Sequence, residues 1–160
     1  MSWPLRILVA ALVWSSGTLA QSAIEIGKLD PAPRKAPKGY RTCVPSQAHP
    51  TCGLVFGYSV VGPSSIVVLS EFKRTLDSGR SEFTVVDVMA VPDEFQTTLR
   101  MHCRYRGVLD YALLAAVEFA GEPDVWVGPV KWAVGVDSGS KKIVPRDPTL
   151  VECYFARQVE

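Results

Sequence analysis

"TTLRMHCRYR", residues 97–106, decides the fold class. Leu99, Met101, Cys103 and Tyr105 alternate with Thr98, Arg100, His102, Arg104 and Arg106. Successive side chains of a β-strand point to opposite faces, so this pattern predicts a half-buried strand. It also predicts a cysteine on the core face and a ribbon of cations on the other.

The chain beyond Gly53 has the same character. Valine, threonine and aromatic residues cluster in runs at 54–61, 65–74, 82–91, 108–119, 125–136 and 149–156, with a shorter run at 141–144. Turn-forming groups separate them: "GPSS" at 62–65, "DSGR" at 77–80, "VPDE" at 91–94 and "DSGS" at 137–140. The expectation is a mainly β protein, a small antiparallel β-sandwich or barrel-like domain over residues 42–160. One run has two readings. In "VLDYALLAAVEFAG", 108–121, Leu109, Tyr111, Leu113, Ala115, Val117 and Phe119 form an alternate apolar row, which predicts a central strand. Its alanines and leucines, with Asp110 as cap and Gly121 as stop, give the alternative: an α+β domain with one helix at about 109–120.

The four cysteines follow from the strand pattern. In "TLVECYFAR", 149–157, Val151, Cys153 and Phe155 share a face while Glu152 points away. Cys103 and Cys153 are thus both core-facing, which predicts a Cys103–Cys153 bridge and leaves Cys43 for Cys52. Loop-closure entropy assigns about 4 kcal/mol to the long bridge and about 2.7 kcal/mol to the short one.

The N-terminal part is organised differently. "MSWPLRILVAALVWSSGTLA", residues 1–20, has one early cation, an apolar run and small residues before a cut after Ala20, the pattern of a signal peptide. Its apolar run is too short for a comfortable bilayer span, so no stable membrane span is expected after cleavage. Residues 21–41 form a Pro-rich basic arm; the part "IEIGKLDPAPRKAPKGYR", 24–41, reads as extended and carries five basic against two acidic residues. From residue 21 onward, 16 basic residues balance 16 acidic ones, since only Arg6 of the 17 precedes the cut. A neutral chain does not point to nucleic acid. Disulfides and a signal peptide point to secretion; the absence of asparagine and the excess of arginine over lysine suggest a GC-rich genome, hence a bacterial periplasm.

No cofactor motif and no tight Cys or His pair for a metal is present. Only His49 and His102 could serve as a general base, and there is no Gly-x-Ser-x-Gly elbow. Asp87 interrupts the row Phe83, Val85, Met89, Val91 and is assigned to a solvated face, with a buried, partnered acid as the alternative. Trp126, Val130, Trp132, Val134 and Val136 read as one core row. What remains is surface. Arg100, His102, Arg104 and Arg106 make a candidate interface, and His49 is displayed between Ala48 and Pro50 in the loop that Cys43 and Cys52 close. The expectation is an exported, non-enzymatic protein that binds another protein, as an inhibitor, an immunity-type protein or an envelope accessory. A small-ligand carrier with a barrel lined by Trp126, Trp132 and Tyr58 is a second class. A secreted hydrolase using His102 or Asp87 is a third.

Overall fold

The computed structural model describes residues 24–30, 39–118 and 123–155. Residues 1–20, expected to be a signal peptide, and the middle of the arm lie outside the described residues. The described chain is all β apart from two single-turn 3-10 segments, at Asp93–Phe95 and Pro148–Leu150. Its strands are β1 (Gly39–Val44), β2 (Leu54–Val61), β3 (Ser64–Thr75), β4 (Ser81–Ala90), β5 (Leu99–Arg100), β6 (Cys103–Tyr105), β7 (Val108–Asp110), β8 (Leu113–Ala116), β9 (Val125–Val127), β10 (Trp132–Asp137), β11 (Lys142–Pro145) and β12 (Val151–Phe155).

They form three antiparallel sheets, ordered β1-β2-β3-β4, β11-β10-β8-β5 and β7-β6-β12-β9. Burial shows how the sheets stack. Leu113 to Val117 are all buried, so β8 is covered on both faces. Leu114, Val134, Val136 and Ile143 pack with Leu54, Phe56, Val67 and Leu69 of the first sheet. Leu113, Ala115 and Ala133 pack with Cys103, Val151 and Cys153 of the third. The β10 sheet is therefore the central layer, and the hydrophobic gain from its side chains, about 1.5–3 kcal/mol per fully buried aliphatic, is collected on both sides. A helix would have buried one stripe, whereas every residue from 113 to 117 has a covered face to point at. The segment is strand and not helix, but it is not one central strand. β7 lies in the third sheet and β8 in the central one, with a turn at Tyr111 and Ala112 between them, so Leu109 and Tyr111 leave the apolar row and are exposed.

Both expected disulfides are present, Cys43–Cys52 and Cys103–Cys153. Cys103 and Cys153 face each other across β6 and β12 and are buried at 0% and 1% exposure. The two disulfides fit an extracellular or secreted protein. No helix among the described residues is long and apolar enough to cross a membrane.

Three further differences from the sequence reading each have a physical reason. The 97–106 strand is broken: β5 belongs to the central sheet and β6 to the third, so Met101 and His102 turn the corner between layers. The alternation survives the corner, with Leu99, Met101 and Cys103 buried and His102 exposed. The 125–136 strand is cut by the cis peptide Gly128-Pro129 into β9 and β10, which lie in different sheets. Trp126 and Val130 therefore leave the row that Trp132, Val134 and Val136 keep, Val130 being buried instead with Ala133 and the Cys103–Cys153 bridge. Finally, the β3–β4 register shifts at Leu69/Ser70: Ser70 pairs Val85 and Leu69 pairs Asp87, so Val86 is an extra residue. Such a bulge flips the faces beyond it. Phe83 stays with Val55 on the outer face, while Met89 and Asp87 turn inward. Asp87 is not on a solvated face. Its side chain is 15% exposed; it accepts the Ile143 N–H at 2.8 Å and meets Lys142 Nζ at 3.3 Å, tying β4 to β11.

The arm is partly structural. Gly27 N donates to the Val85 carbonyl, Val85 N to Lys28 and Asp30 N to Phe83, so 24–30 runs beside β4 as a strap. Gly39–Arg41 open β1, ahead of residue 42. Asp30 reaches the outer face of the first sheet and forms an ion pair with Arg41, both side chains fully buried. Arg41 Nη2 also donates to Ser59 Oγ at 2.7 Å, and Ser70 Oγ donates to Asp30. Gly57 makes room for this: a Cβ there would stand 2.7 Å from Arg41 Cα.

Candidate functional site

The expected interface residues fall in three places. His49 belongs to the first sheet's outer side. Its ring lies 4.4 Å from that of Phe72, and its N–H donates to Ser46 Oγ at 3.1 Å within the disulfide-closed loop. The loop rests its histidine against Phe72 while leaving it exposed, apart from the arginine ribbon. Arg106 also leaves the ribbon. Tyr105 pairs with Val108, so Arg106 and Gly107 are a two-residue hairpin turn, both with positive φ (52° and 78°). The Arg106 guanidinium lies 5.4 Å from the Tyr105 ring.

Arg100, His102 and Arg104 stay together, and the third sheet adds partners to them. Arg104 pairs with Glu152 and Tyr154 with Trp126 across the strands, while Tyr154 N donates to the His102 carbonyl. The outer face of this sheet therefore presents Arg104, Glu152, Tyr154, Trp126 and His102 side by side. The Arg104 guanidinium sits 4.4 Å above the Trp126 ring, and its Nε donates to Glu152 Oε2 at 2.6 Å. His102 stands edge-on to Trp126 at 5.6 Å and 5.4 Å from Tyr154; Trp126 and Tyr154 are 5.5 Å apart. Arg100 lies 5.4 Å from the Phe155 ring at the end of the sheet.

This arrangement does a specific physical job. A guanidinium stacked on an indole is held flat, so its remaining N–H groups keep a fixed direction. Together Trp126, Tyr154 and the arginines supply the residue types that dominate binding energy at protein interfaces. Tyr154 was legible as an outward residue beside Glu152. Trp126 was not, because the chain break that redirects it lies after it, at Gly128-Pro129.

A cleft opens beside this face, at one end of the main core. Its volume is about 560 Å³. Tyr58 and Thr42 line it from the inner side of the first sheet, Leu99 and Met101 from the corner between layers, and Arg100 and His102 from the start of the ribbon. Tyr40 and Tyr111 complete the lining and are 58% and 64% exposed. Of the aromatic residues proposed to line a carrier barrel, only Tyr58 reaches this space. Trp132 packs against the main core with its ring 6.3 Å from Phe95, and Trp126 is on the outer face.

Among the described residues three carboxylates have altered acidity, Glu82 on β4, Asp137 at the end of β10 and Asp147 at the turn before β12, and none of them lines the cleft or belongs to the ribbon. Asp147 accepts from the Thr149 hydroxyl at 2.7 Å and from the Thr149 N–H at 3.0 Å, which holds its carboxyl below the ordinary 3.8 and caps the turn leading into β12. Asp137 is lowered likewise by Ser140 and Gly139. Among the described residues no three His, Cys, Asp or Glu side chains gather as metal ligands. Comparison with family models, with curated proteins and with solved structures finds no match to this chain.

Proposed function

We propose that this chain is an exported binding protein that holds an acidic surface of another protein against the outer face of the third sheet. The observation that carries the reading is the Arg104–Trp126–His102–Tyr154 cluster: aromatic rings and cations packed on one another on a sheet face that no described residue covers. A rigid, pre-stacked surface loses little side-chain entropy on binding. Two disulfides support an oxidising destination, and the signal-like residues 1–20 support export; a bacterial periplasm is the destination we favour. An inhibitor, an immunity-type protein or an envelope accessory would each use such a surface, by analogy of size and compartment.

The test is a paired capture from periplasmic extract, with the wild-type chain and the Arg104→Glu/Trp126→Ala variant as baits, read by mass spectrometry. A protein retained by the wild type and lost from the variant is the expected result. Equal retention on both baits, or retention on neither, overturns the reading. Urea unfolding of the variant verifies that the bait is folded.

A further inference from the structure

We infer that the cleft beside the ribbon is a second binding site, adjoining the protein-binding face and sharing His102 with it, for a small molecule with an apolar body and a carboxylate. Four observations lead there. The site is concave and, at about 560 Å³, in the range of small-ligand sites. Its floor is the open end of the main core: Leu99 and Met101 are buried core members at 5% and 8% exposure, and Tyr58 packs against the same cluster. An apolar body entering here extends an existing core rather than covering a polar surface.

The rim supplies the third observation. Tyr40 and Tyr111 come from separate elements, β1 and the β7–β8 turn, and both leave more than half of their surface exposed while lining the same cleft. Two large rings are costly to leave in water, and an apolar body between them would cover both. Their hydroxyls can keep contact with water while the rings are covered.

Charge gives the fourth and selects the ligand. Arg100 and His102 line the cleft, and no carboxylate does. Arg100 Nη1 donates to the Leu99 carbonyl at 2.8 Å, which fixes the guanidinium at the edge of the mouth. No ion pair to Arg100 is found among the described residues, in contrast to Arg104, which has Glu152. The nearest acid in sequence to Tyr111, Asp110, accepts the Ala112 N–H at 2.8 Å. A ligand carboxylate would supply the counter-charge that the protein does not, and a guanidinium is the donor best matched to a carboxylate. The volume and the buried floor favour a small molecule over a peptide segment, which the open third-sheet face suits better.

The experiment titrates the oxidised chain with 4-phenylbutyrate and octanoate, each beside its neutral amide, and follows backbone amide shifts by NMR. Saturable shifts of Arg100, His102, Tyr58 and Tyr111 are expected, with the amides binding about tenfold more weakly or worse. Arg100→Gln should remove the preference for the acid, and Tyr111→Ala should weaken acid and amide alike. Arg104→Glu, which alters the proposed protein-binding face and not the cleft, should leave acid binding within about threefold. Equal binding of acid and amide, shifts located elsewhere, or no binding tighter than about 1 mM by any probe overturns the inference. Loss of acid binding in Arg104→Glu also overturns it, by showing that the ribbon and not the cleft holds the anion.

Discussion

Arg41 and Arg104 both project from outer sheet faces, each within two residues of a disulfide cysteine and each paired with a carboxylate. Their surroundings differ. Arg41 and Asp30 are fully buried, because the 24–30 strap runs beside β4 and brings Asp30 over the sheet. Arg104 and Glu152 keep 30% and 42% of their side chains in water. The disulfides are inverted in the same sense: Cys43–Cys52 packs with the outer-face cluster of Val55 and Phe83, while Cys103–Cys153 lies beneath the ribbon in the inner core. One face is closed by the protein's own chain and the other is left partly in water, so what separates the two arginines is the cover above them, not the residue type.

The sharpest break of this comparison is removal of the carboxylate. Asp30→Ala leaves Arg41 charged and buried, which should cost about 3–5 kcal/mol. Glu152→Ala leaves Arg104 in water and should cost about 1 kcal/mol or less. Urea unfolding of the two variants gives the contrast directly. Replacing both partners, Asp30→Leu with Arg41→Met, should regain most of the loss, since the cost is that of the stranded charge rather than of the missing pair. If Asp30→Ala costs no more than Glu152→Ala, the strap is not held by this pair.

The disulfides extend the comparison at a slightly smaller scale. Cys103→Ala/Cys153→Ala opens a loop with a sequence separation of 50 and should cost about 4 kcal/mol. Cys43→Ala/Cys52→Ala, with a separation of 9, should cost about 2.7 kcal/mol. Equal losses in urea unfolding would mean that chain entropy does not govern the difference. The inner bridge has a second consequence, because it sits at the register that pairs Arg104 with Glu152. Its loss should weaken partner capture through the third sheet, whereas loss of the outer bridge should not.

Coupling within the open face is smaller still. A double-mutant cycle of Arg104→Ala and Trp126→Ala, read by urea unfolding, should give a coupling of about 0.5–1 kcal/mol for the stacked pair. A value near zero would mean that the indole does not hold the guanidinium, and the pre-stacked surface would lose its basis.

How far these regions could be read in the sequence depends on what each required. The Cys103–Cys153 bridge was legible because two period-two patterns each placed a cysteine on an apolar face. The Arg100, His102, Arg104 row was legible for the same reason, and alternation persisted through the corner between layers. Asp87 was not, because one extra residue at Val86 reverses the faces and leaves no mark in composition. Arg106 was taken for a strand residue, although Gly107 beside it marks the turn. The Asp30–Arg41 pair and the cleft needed topology: Tyr40, Tyr58 and Tyr111 belong to separate elements, and no local pattern says that they meet.

The smallest effect concerns a third arginine, which sets the exposed limit of the comparison. Arg74 Nε donates to Glu82 Oε2 at 2.6 Å, with the arginine side chain 63% exposed. The Arg74 hydrogen bond holds the Glu82 carboxyl below its ordinary 4.5. A carboxylate whose acidity is raised by folding contributes stability above its unfolded pKa and loses it as pH falls through the folded value. The gap between wild type and Glu82→Gln should therefore be present at about pH 7 and close by about pH 2. It should also shrink in about 1 M salt, where the screening length falls to about 3 Å, while the Asp30→Ala loss should persist because salt does not reach a buried pair. Urea midpoints of the three proteins at both salt levels test this. A Glu82→Gln loss that resists salt, or an Asp30→Ala loss that disappears with it, would erase the distinction between the covered and the open arginines.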